Sequence, residues 1–458
     1  MEDMKNGKRS SFSGKLGYVL AAAGASVGLG NIWRFPYLAA KYGGGIFLII
    51  YIVLALTFGY TMIVAETAIG RMTRKSPVGA FKSFGKKKWL SFGGWINAVI
   101  PVLIVPYYSV IGGWVIKYLV EYFRGNAKQL AEDGYFTDFI SNGVSTELCF
   151  VAFCAFTLII IFAGVQNGIE RVSKIMMPIL IVLSVIIAVY SVTRPGALAG
   201  VKYFLVPNVK NFSWMTVVSA MGQMFYSLSI AMGILITFGS YMKKDTAIED
   251  STRNVEIFDT GIAIMAGLMI IPAVFAFSGG DPDTLQAGPS LMFITIPKVF
   301  QNMGFGTVIG IVFFLLVLFA AVTSSIALTE SAVSTFEDEL GWGRKKATVL
   351  VGVIMLALGS LSSLGYGPLA GIKIIGMQFL DLFDFLTNSV MMPIAALLTS
   401  LLVSRVVGID KIEDEIIHGE SAFRRKKVFV VMIKYLCPVF AIIILLSSVA
   451  NALGWIKM

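Results

Sequence analysis

Histidine and cysteine are almost absent from this sequence. It has one histidine, His418, and three cysteines without metal-ligand spacing, Cys149, Cys154 and Cys437. Neither a disulfide framework nor a metal site built on these residues is therefore indicated. The sequence also lacks a phosphate-binding glycine loop and a nucleophile elbow, and no nucleophile, base and orienting group can be assembled from its motifs. An enzyme is the least favoured class, and nucleotide hydrolysis would need a separate subunit.

Charge is scarce as well, and it is concentrated between long apolar runs. Only 14% of the 458 residues are charged and 57% are hydrophobic, which is typical of a polytopic membrane protein. The first apolar run is too long for a signal peptide and has no cleavage site. Eleven membrane spans are predicted, near residues 15–40, 44–70, 93–123, 146–164, 172–193, 211–241, 256–278, 305–336, 346–364, 374–404 and 428–456.

The formal net charge of +10 is a topology signal rather than a sign of nucleic-acid binding. Of the 37 lysines and arginines, 26 lie on the side of the N-terminus, 10 lie on the other side, and Arg34 lies within the membrane. The positive-inside rule places the N-terminus in the cytoplasm, and an odd number of spans places the C-terminus outside. We expect a multi-pass protein of the bacterial inner membrane whose basic surplus contacts anionic lipid headgroups. The sequence leaves the oligomeric state open.

Span 1 contains residues that are unsuitable for a lipid-facing helix. Glycine and proline lower helix propensity, and the polar side chains are costly in hydrocarbon. We interpret the span as a discontinuous helix that opens near residues 27–30, where freed carbonyls can bind a small cation. Tight helix packing through the glycines is the alternative, but it does not explain the polar residues. The residues concerned are Gly24, Gly28, Gly30, Asn31, Arg34 and Pro36.

Span 6 repeats this irregularity, with Gln223, Ser227, Ser229 and Gly233 at its centre. Ser227 and Ser229 cannot share one face of an α-helix, whereas an unwound centre would let both reach one cavity. Two interrupted spans, five apart, are typical of an inverted five-helix repeat. We expect one all-α transporter domain over residues 1–458. Its parts are an N-terminal segment (1–14), the first repeat (15–193), the second repeat (211–404) and an extra helix (428–456).

Further residues within the spans are functional candidates, and most of them also allow a purely structural interpretation. Three consecutive hydroxyls in span 8 (residues 323–325) either contribute to the site or bond back to carbonyls one turn earlier. Tyr107 and Tyr108 need a hydrogen-bond partner, for which a backbone carbonyl would suffice. Gly168 and Pro178 indicate either an end of span 5 that unwinds or a static kink. Asp259 in span 7 is a functional candidate, as an intramembrane carboxylate usually is.

These motifs resemble those of the neurotransmitter:sodium symporter family, which has the leucine-transporter fold, and within it the eleven-helix bacterial amino-acid transporters. The similarity extends from about Lys8 to the last span. Its motifs are Ser26-Val27-Gly28-Leu29-Gly30-Asn31 with Arg34-Phe35-Pro36, then Tyr107-Tyr108, Thr323-Ser324-Ser325 and Phe336-Glu337-Asp338-Glu339-Leu340.

The resemblance implies a substrate site, two sodium sites and two gates. The substrate site comprises Ser26, Leu29, Gly30, Ile104, Tyr108, Tyr226, Ser229, Met232, Ser324 and Leu328. The first sodium site comprises the carbonyls of Ser26 and Ser227 with the side chains of Asn31, Ser227 and Asp259. The second comprises the carbonyls of Gly24, Val27 and Ala320 with the hydroxyls of Thr323 and Ser324. The outer gate comprises Arg34 and Asp384 with Tyr226 as a lid, and the inner gate comprises Arg9, Asp338, Ser240 and Tyr241.

The sequence departs from the family pattern at two positions. Phe12 stands where the family usually has a tryptophan, which leaves the details of the inner gate open. Asp259 stands where the family often has asparagine, and its fixed carboxylate predicts independence from chloride. The expected function is sodium-coupled import of hydrophobic or aromatic L-amino acids by alternating access. The alternatives are a channel and a substrate-binding sensor that does not transport.

Overall fold

The computed structural model describes residues 9–279, 288–452 and 454–455, and regular structure in these residues is helical apart from two isolated β-bridges. Predictions for residues 1–8, 453 and 456 therefore lie outside the described residues. Nine helices of the described chain are long and apolar enough to cross a membrane, and they correspond to spans 2–5 and 7–11. They are Gly45–Thr73, Lys88–Phe123, Gly143–Phe162, Val165–Val192, Ile248–Ser278, Gly306–Leu340, Arg344–Leu364, Phe379–Val407 and Lys426–Ala452.

Span 1 is a broken helix, as the sequence predicts. Its halves, Lys15–Ser26 and Gly30–Lys41, meet at an angle of 53°, and Val27 between them is extended with ψ of 96°. The glycines also permit close packing. A Cβ atom on Gly28 would lie 2.6 Å from the Ser324 hydroxyl, and one on Gly30 would lie 2.5 Å from the Tyr226 ring. The broken helix and the close packing therefore coexist at the same residues.

Span 6 is also split, into Trp214–Ser227 and Ile234–Tyr241. The intervening residues include Ser229, Ala231 and Gly233 with φ of 53°, 58° and 69°. This left-handed conformation is unfavourable for residues other than glycine, so surrounding contacts have to hold it. One such contact is the bond that the Ala231 N–H donates to the Glu66 carboxylate at 2.8 Å.

Several spans begin at residues other than those predicted from hydropathy. Span 3 begins at Lys88 instead of 93, span 5 at Val165 instead of 172, and span 7 at Ile248 instead of 256. The polar first turns of spans 3 and 7 are α-helical, whereas the start of span 5, Val165–Glu170, is π-helical. In span 7 the acidic pair Glu249 and Asp250 occupies the first turn, where negative charge stabilises the helix dipole.

Short helices connect the spans. On the face of the bundle that contains residue 9, here called the N-terminal face, Pro77–Lys82 lies between spans 2 and 3, and Ile409–Ile417 lies between spans 10 and 11. On the opposite face the connections include Ala197–Leu205 before span 6 and Leu291–Gln301 before span 8. Span 8 packs against spans 1 and 3, so the breaks of spans 1 and 6 come to lie in the centre of the bundle.

Candidate functional site

A buried cavity of about 30 Å³ lies where the breaks of spans 1 and 6 face spans 3 and 8. All ten residues that the sequence assigns to the substrate site line this one cavity, although they come from four spans. The lining residues are Ala25, Ser26, Gly28, Leu29, Gly30, Asn31, Ile104, Tyr108, Tyr226, Ser227, Ser229, Met232, Ser324 and Leu328. Backbone groups of the two breaks, hydroxyls and apolar side chains therefore meet in one small cavity.

The Tyr108 hydroxyl is held at the break of span 1. It accepts a hydrogen bond from the Leu29 N–H at 3.3 Å. The sequence allowed a backbone carbonyl as the partner of this hydroxyl, whereas here the partner is a backbone donor. A phenol that accepts in this way keeps its own proton available for donation. Across the cavity the Ser229 hydroxyl donates to the Ala25 carbonyl at 2.9 Å, which ties the two broken spans together.

A cluster of oxygen and nitrogen atoms surrounds Asp259 beside this cavity. The Asn31 amide donates to Asp259 at 2.8 Å and to Ser227 at 2.9 Å, and the Ser227 hydroxyl donates to Asp259 at 2.9 Å. The Tyr51 hydroxyl donates to the other carboxylate oxygen at 2.9 Å. All four side chains are buried, and these partners within the described chain are neutral. A buried carboxylate with neutral partners suits a monovalent cation, which would balance its charge.

A second group of oxygens lies between the first half of span 1 and span 8. The Ser324 hydroxyl is 3.2 Å from the Gly24 carbonyl and 3.3 Å from the Val27 carbonyl. Thr323 bonds back within its own helix, to the Ala320 carbonyl at 3.2 Å. Of the three consecutive hydroxyls, that of Thr323 thus bonds back to a carbonyl one turn earlier, whereas that of Ser324 faces the break of span 1. Ser325 points elsewhere, to Thr157 of span 4 at 3.2 Å.

The atoms that could bind a cation around Asp259 and around Ser324 are the oxygens of carbonyl, hydroxyl, amide and carboxylate groups. Within the described ranges there is no group of three or more His, Cys, Asp or Glu side chains that could hold a metal ion. Uncharged oxygens with at most one carboxylate fit an alkali cation, because carbonyls and hydroxyls replace its hydration shell. The residues present therefore fit the two sodium sites implied by the resemblance.

On the N-terminal face, Arg9 forms a cluster that we call the latch, made of Arg9, Ser240, Tyr241, Ser334 and Asp338. Arg9 forms an ion pair with Asp338, donates to Ser240 at 3.1 Å and to Ser334 at 2.7 Å, and lies 5.0 Å from the centre of the Tyr241 ring. All four predicted inner-gate residues meet here. Asp338 also accepts from the Ser76 N–H at 2.7 Å.

Phe12 fills the position that the sequence left uncertain, immediately behind the latch. It is buried, and its ring makes edge contacts with Tyr18, Phe238 and Tyr241. Its N–H donates to the Tyr241 carbonyl at 3.0 Å. The smaller aromatic ring therefore still anchors the segment that carries Arg9.

On the opposite face, the predicted partners of the outer gate are held by other residues. No ion pair within the described chain joins Arg34 to Asp384. The Arg34 guanidinium lies 5.3 Å from the centre of the Tyr226 ring. Asp384 accepts from Tyr107 at 3.2 Å and from Asn388 at 2.5 Å. Tyr226 itself packs against Gly30 and lines the cavity.

Gly168 and Pro178 of the predicted hinge lie in the helix Val165–Val192, whose first six residues, Val165–Glu170, are π-helical. The sharp turn before it is at Gly164, with φ of 90°. Gly168 approaches its neighbour closely, since a Cβ atom there would lie 2.1 Å from the Ile160 carbonyl. Alanine at Gly168 would therefore disturb the packing of spans 4 and 5, so this substitution is no clean test of unwinding.

Sequence reasoning missed three contributors to these clusters. Tyr51 stands in an aliphatic run of span 2 without any distinguishing pattern, and Ser334 is one of many hydroxyls in span 8. Glu66 did carry a signal, because it is an acidic residue within an apolar span. It is fully buried and contacts the break of span 6.

Comparison with known proteins identifies the family. The profile of the Sodium:neurotransmitter symporter family matches residues 9–133 and 120–455, and the chain belongs to this family of transporters. It is similar to the uncharacterized sodium-dependent transporter YhdH of Bacillus subtilis, with 34% identity over 450 residues, 97% of this chain and 99% of that protein. It is also similar to the human sodium- and chloride-dependent GABA transporter 2, with 26% identity over 474 residues, 89% of this chain and 75% of that protein.

A solved structure gives the same fold. The crystal structure of MhsT in complex with L-phenylalanine superposes with a TM-score of 0.86 at 34% sequence identity, and the match covers 96% of this chain and all of that chain. The predicted all-α polytopic membrane fold and the predicted family are both confirmed. Sodium-coupled transport follows from the family.

Proposed function

We propose that this protein is a sodium-coupled symporter that imports hydrophobic or aromatic L-amino acids by alternating access. The observation that carries the proposal is a cavity between two broken spans, with a buried carboxylate beside it whose hydrogen-bond partners in the described residues are neutral. The similarity to MhsT, whose crystal structure contains L-phenylalanine, supports an amino acid as substrate.

The two ends of an amino acid match different parts of the cavity. Its carboxylate would meet the Tyr108 hydroxyl, the N–H groups at Leu29 and Gly30, and one sodium ion. Its amino group would meet carbonyls near Ser26, Tyr226 and Ser229. The backbone groups among these lie at the two helix breaks, where backbone atoms are free of their helical partners.

The side chain of the substrate would lie against Ile104, Tyr226, Met232 and Leu328, all of which line the cavity. No lysine, arginine or carboxylate is among the lining residues, so burying a charged substrate side chain would be unfavourable by several kcal/mol. A cavity of about 30 Å³ holds only about two water molecules. An amino acid therefore has to displace lining groups, and the flexible thioether of Met232 is suited to move aside.

Sodium would be transported at two sites, formed by the residue groups around Asp259 and around Ser324. At the first, Asp259 would supply the negative charge that other family members obtain from chloride, so we propose transport without chloride. The second would join the first half of span 1 to span 8, and its occupancy would favour one arrangement of these two helices over another.

We further propose that the N-terminal face is cytoplasmic, that the C-terminus lies outside, and that the protein resides in the bacterial inner membrane. The basic clusters on the N-terminal face support this orientation. Release toward the cytoplasm would then require the latch to open, and unwinding at Gly168 and Pro178 remains a prediction for that step.

Uptake into proteoliposomes tests the function. With an inward sodium gradient, radiolabelled phenylalanine, tyrosine, tryptophan or leucine should accumulate above its external concentration, and glutamate and lysine should not. Accumulation should stop when choline replaces sodium and should persist when gluconate replaces chloride. Equilibration without accumulation would indicate a channel. Sodium-dependent binding without any uptake would indicate a sensor. Either result contradicts the proposal.

A further inference from the structure

A second cavity, of about 350 Å³, opens on the N-terminal face beside the latch. One wall is the short helix Pro77–Lys82 and the other is the end of span 8. It is lined by Lys75, Gly79, Lys82, Ser83, Asp338 and Glu339. We propose that this cavity binds the phosphate group of an anionic membrane lipid.

Charge is the first argument. The Lys75 ammonium group donates to the Ser83 hydroxyl at 3.3 Å, and no ion pair within the described chain involves it. Lys82 pairs with Glu339 at 2.7 Å, and both lysine side chains line the cavity. The Ser83 hydroxyl donates to the Gly79 carbonyl at 2.8 Å, so the two ammonium groups are the donors available to a phosphate, which lysine binds as a point charge. Lysines 86–88 are exposed and follow directly, which adds to the attraction of an anionic surface.

The two carboxylates in the cavity do not prevent binding of a phosphate. The charge of Asp338 is already balanced by its ion pair with Arg9, and its other carboxylate oxygen accepts a hydrogen bond from the Ser76 N–H. Glu339 competes with a phosphate for Lys82, and the Lys82 side chain is still 43% exposed within that pair. The Lys82–Glu339 pair is therefore accessible to solvent and weak, so a phosphate with two charged contacts can replace it.

Depth in the membrane is the second argument. Trp95 and Phe92, near the start of span 3, are 40% and 55% exposed on the outside of the helix bundle. Exposed aromatic side chains near the end of a membrane span mark the level of the lipid headgroups. The Lys82 ammonium group lies 5.7 Å from the centre of the Trp95 ring. The mouth of the cavity is therefore at the level where lipid phosphates lie, which favours a lipid over a soluble anion.

Binding of lipids to the purified full-length protein, measured by native mass spectrometry, tests the site without depending on transport. Phosphatidylglycerol is titrated against phosphatidylcholine of the same chain length. The double variant Lys75→Gln, Lys82→Gln should lose about thirtyfold in affinity for phosphatidylglycerol, about fivefold for each lysine. Affinity for phosphatidylcholine should not change.

Two controls separate this site from general electrostatics. The double variant Lys345→Gln, Lys346→Gln removes the same charge from exposed lysines on the same face and should change the affinity less than twofold. Glu339→Gln breaks the same ion pair as Lys82→Gln but frees the lysine, so it should raise the affinity for phosphatidylglycerol. An equal loss in both lysine pairs, or a lower affinity in Glu339→Gln, would overturn the proposal.

A final arm identifies the source of the phosphate. Inorganic phosphate at millimolar concentration should leave the bound phosphatidylglycerol in place, because the free ion lacks the contribution of the acyl chains and of the interfacial aromatic residues. Displacement of the lipid by inorganic phosphate would show a site for soluble anions and would contradict a lipid site.

Discussion

The predicted gate residues on the two faces of the transporter are held by different contacts. On the N-terminal face, Arg9 and Asp338 form a direct ion pair whose side chains are only 14% and 23% exposed, and two hydroxyls add to it. On the opposite face, Arg34 lies over the Tyr226 ring, while Asp384 is held by neutral donors. In this conformation the stronger polar contacts close the N-terminal face, so opening the opposite face breaks fewer charged contacts.

This asymmetry fits a two-state mechanism in which each face opens in turn. A partly buried ion pair loses much stability when one partner is removed, because the remaining charge is left without compensation. A cation over an aromatic ring contributes about 0.5–2 kcal/mol. Substitutions at the two faces and in the cavity between them should therefore differ in the size of their effect. They should also differ in whether they change binding or the opening of one face.

The largest effect is expected at Asp259, which lies between the two faces. Asp259→Asn removes the carboxylate that balances the proposed sodium ion, at a loss of about 3 kcal/mol or more, which is over a hundredfold in sodium affinity. Sodium-dependent uptake should fall accordingly, and any residual uptake should become dependent on chloride. Wild-type uptake that strictly requires chloride would contradict the assigned role of Asp259.

Asp338→Asn should open the N-terminal face. It leaves Arg9 without its charged partner, which we expect to shift the equilibrium between closed and open latch by about a hundredfold. The measurement is the rate at which maleimide labels a cysteine at Ser331, between the cavity and the latch, in a background carrying Cys149→Ser. Unchanged labelling would show that the latch does not hold this face closed.

Tyr108→Phe should change binding and leave both faces as they are. It removes one donor to a charged carboxylate, worth about 1.5–3 kcal/mol, or roughly tenfold to a hundredfold in substrate affinity. Equilibrium binding of labelled phenylalanine or leucine measures this loss, and labelling at Ser331→Cys without substrate is the control. Normal binding by the variant would contradict the assignment of this cavity.

Asp384→Asn is the matched counterpart of Asp338→Asn on the opposite face and should have the smallest effect. Its hydrogen bonds come from neutral groups, and asparagine retains one acceptor, so we expect a loss of about 1 kcal/mol, roughly fivefold. The change should appear as faster dissociation of bound substrate. Labelling at Ser331→Cys should stay at the wild-type rate. An effect larger than that of Asp338→Asn would reverse the comparison between the two faces.

Much of the central site could be predicted from the sequence because it depends on local chemistry. Glycine, asparagine and proline within one apolar run predict a broken helix whatever packs around it, and the break at Val27 is where this pattern places it. Ser227 and Ser229 predict a second break for a geometric reason, and both line the cavity. Helix ends were less predictable, because polar first turns such as that of span 7 remain helical outside the apolar run.

The partners of individual side chains could not be predicted. Tyr51 reaches Asp259 across 208 residues of chain and Arg9 reaches Asp338 across 329, and such distances leave no local pattern. The resemblance supplied the second pairing but not the first. It also implied that Arg34 pairs with Asp384, whereas no ion pair within the described chain joins them: Arg34 lies over the Tyr226 ring and Asp384 accepts from Tyr107.

Sequence by itself determined the membrane class, the two breaks and the kinds of atoms available at them. These properties follow from hydropathy and backbone propensity, which act over a few residues. Only the tertiary structure decided that Ser324 of span 8 faces the carbonyls of span 1 and that Ser325 faces span 4 instead. It also decided that Arg9 pairs with Asp338, while no ion pair in the described part of the chain joins Arg34 to Asp384. These depend on how helices distant in sequence rotate and pack against one another, and the proposed alternating access would require such packing to have more than one stable arrangement.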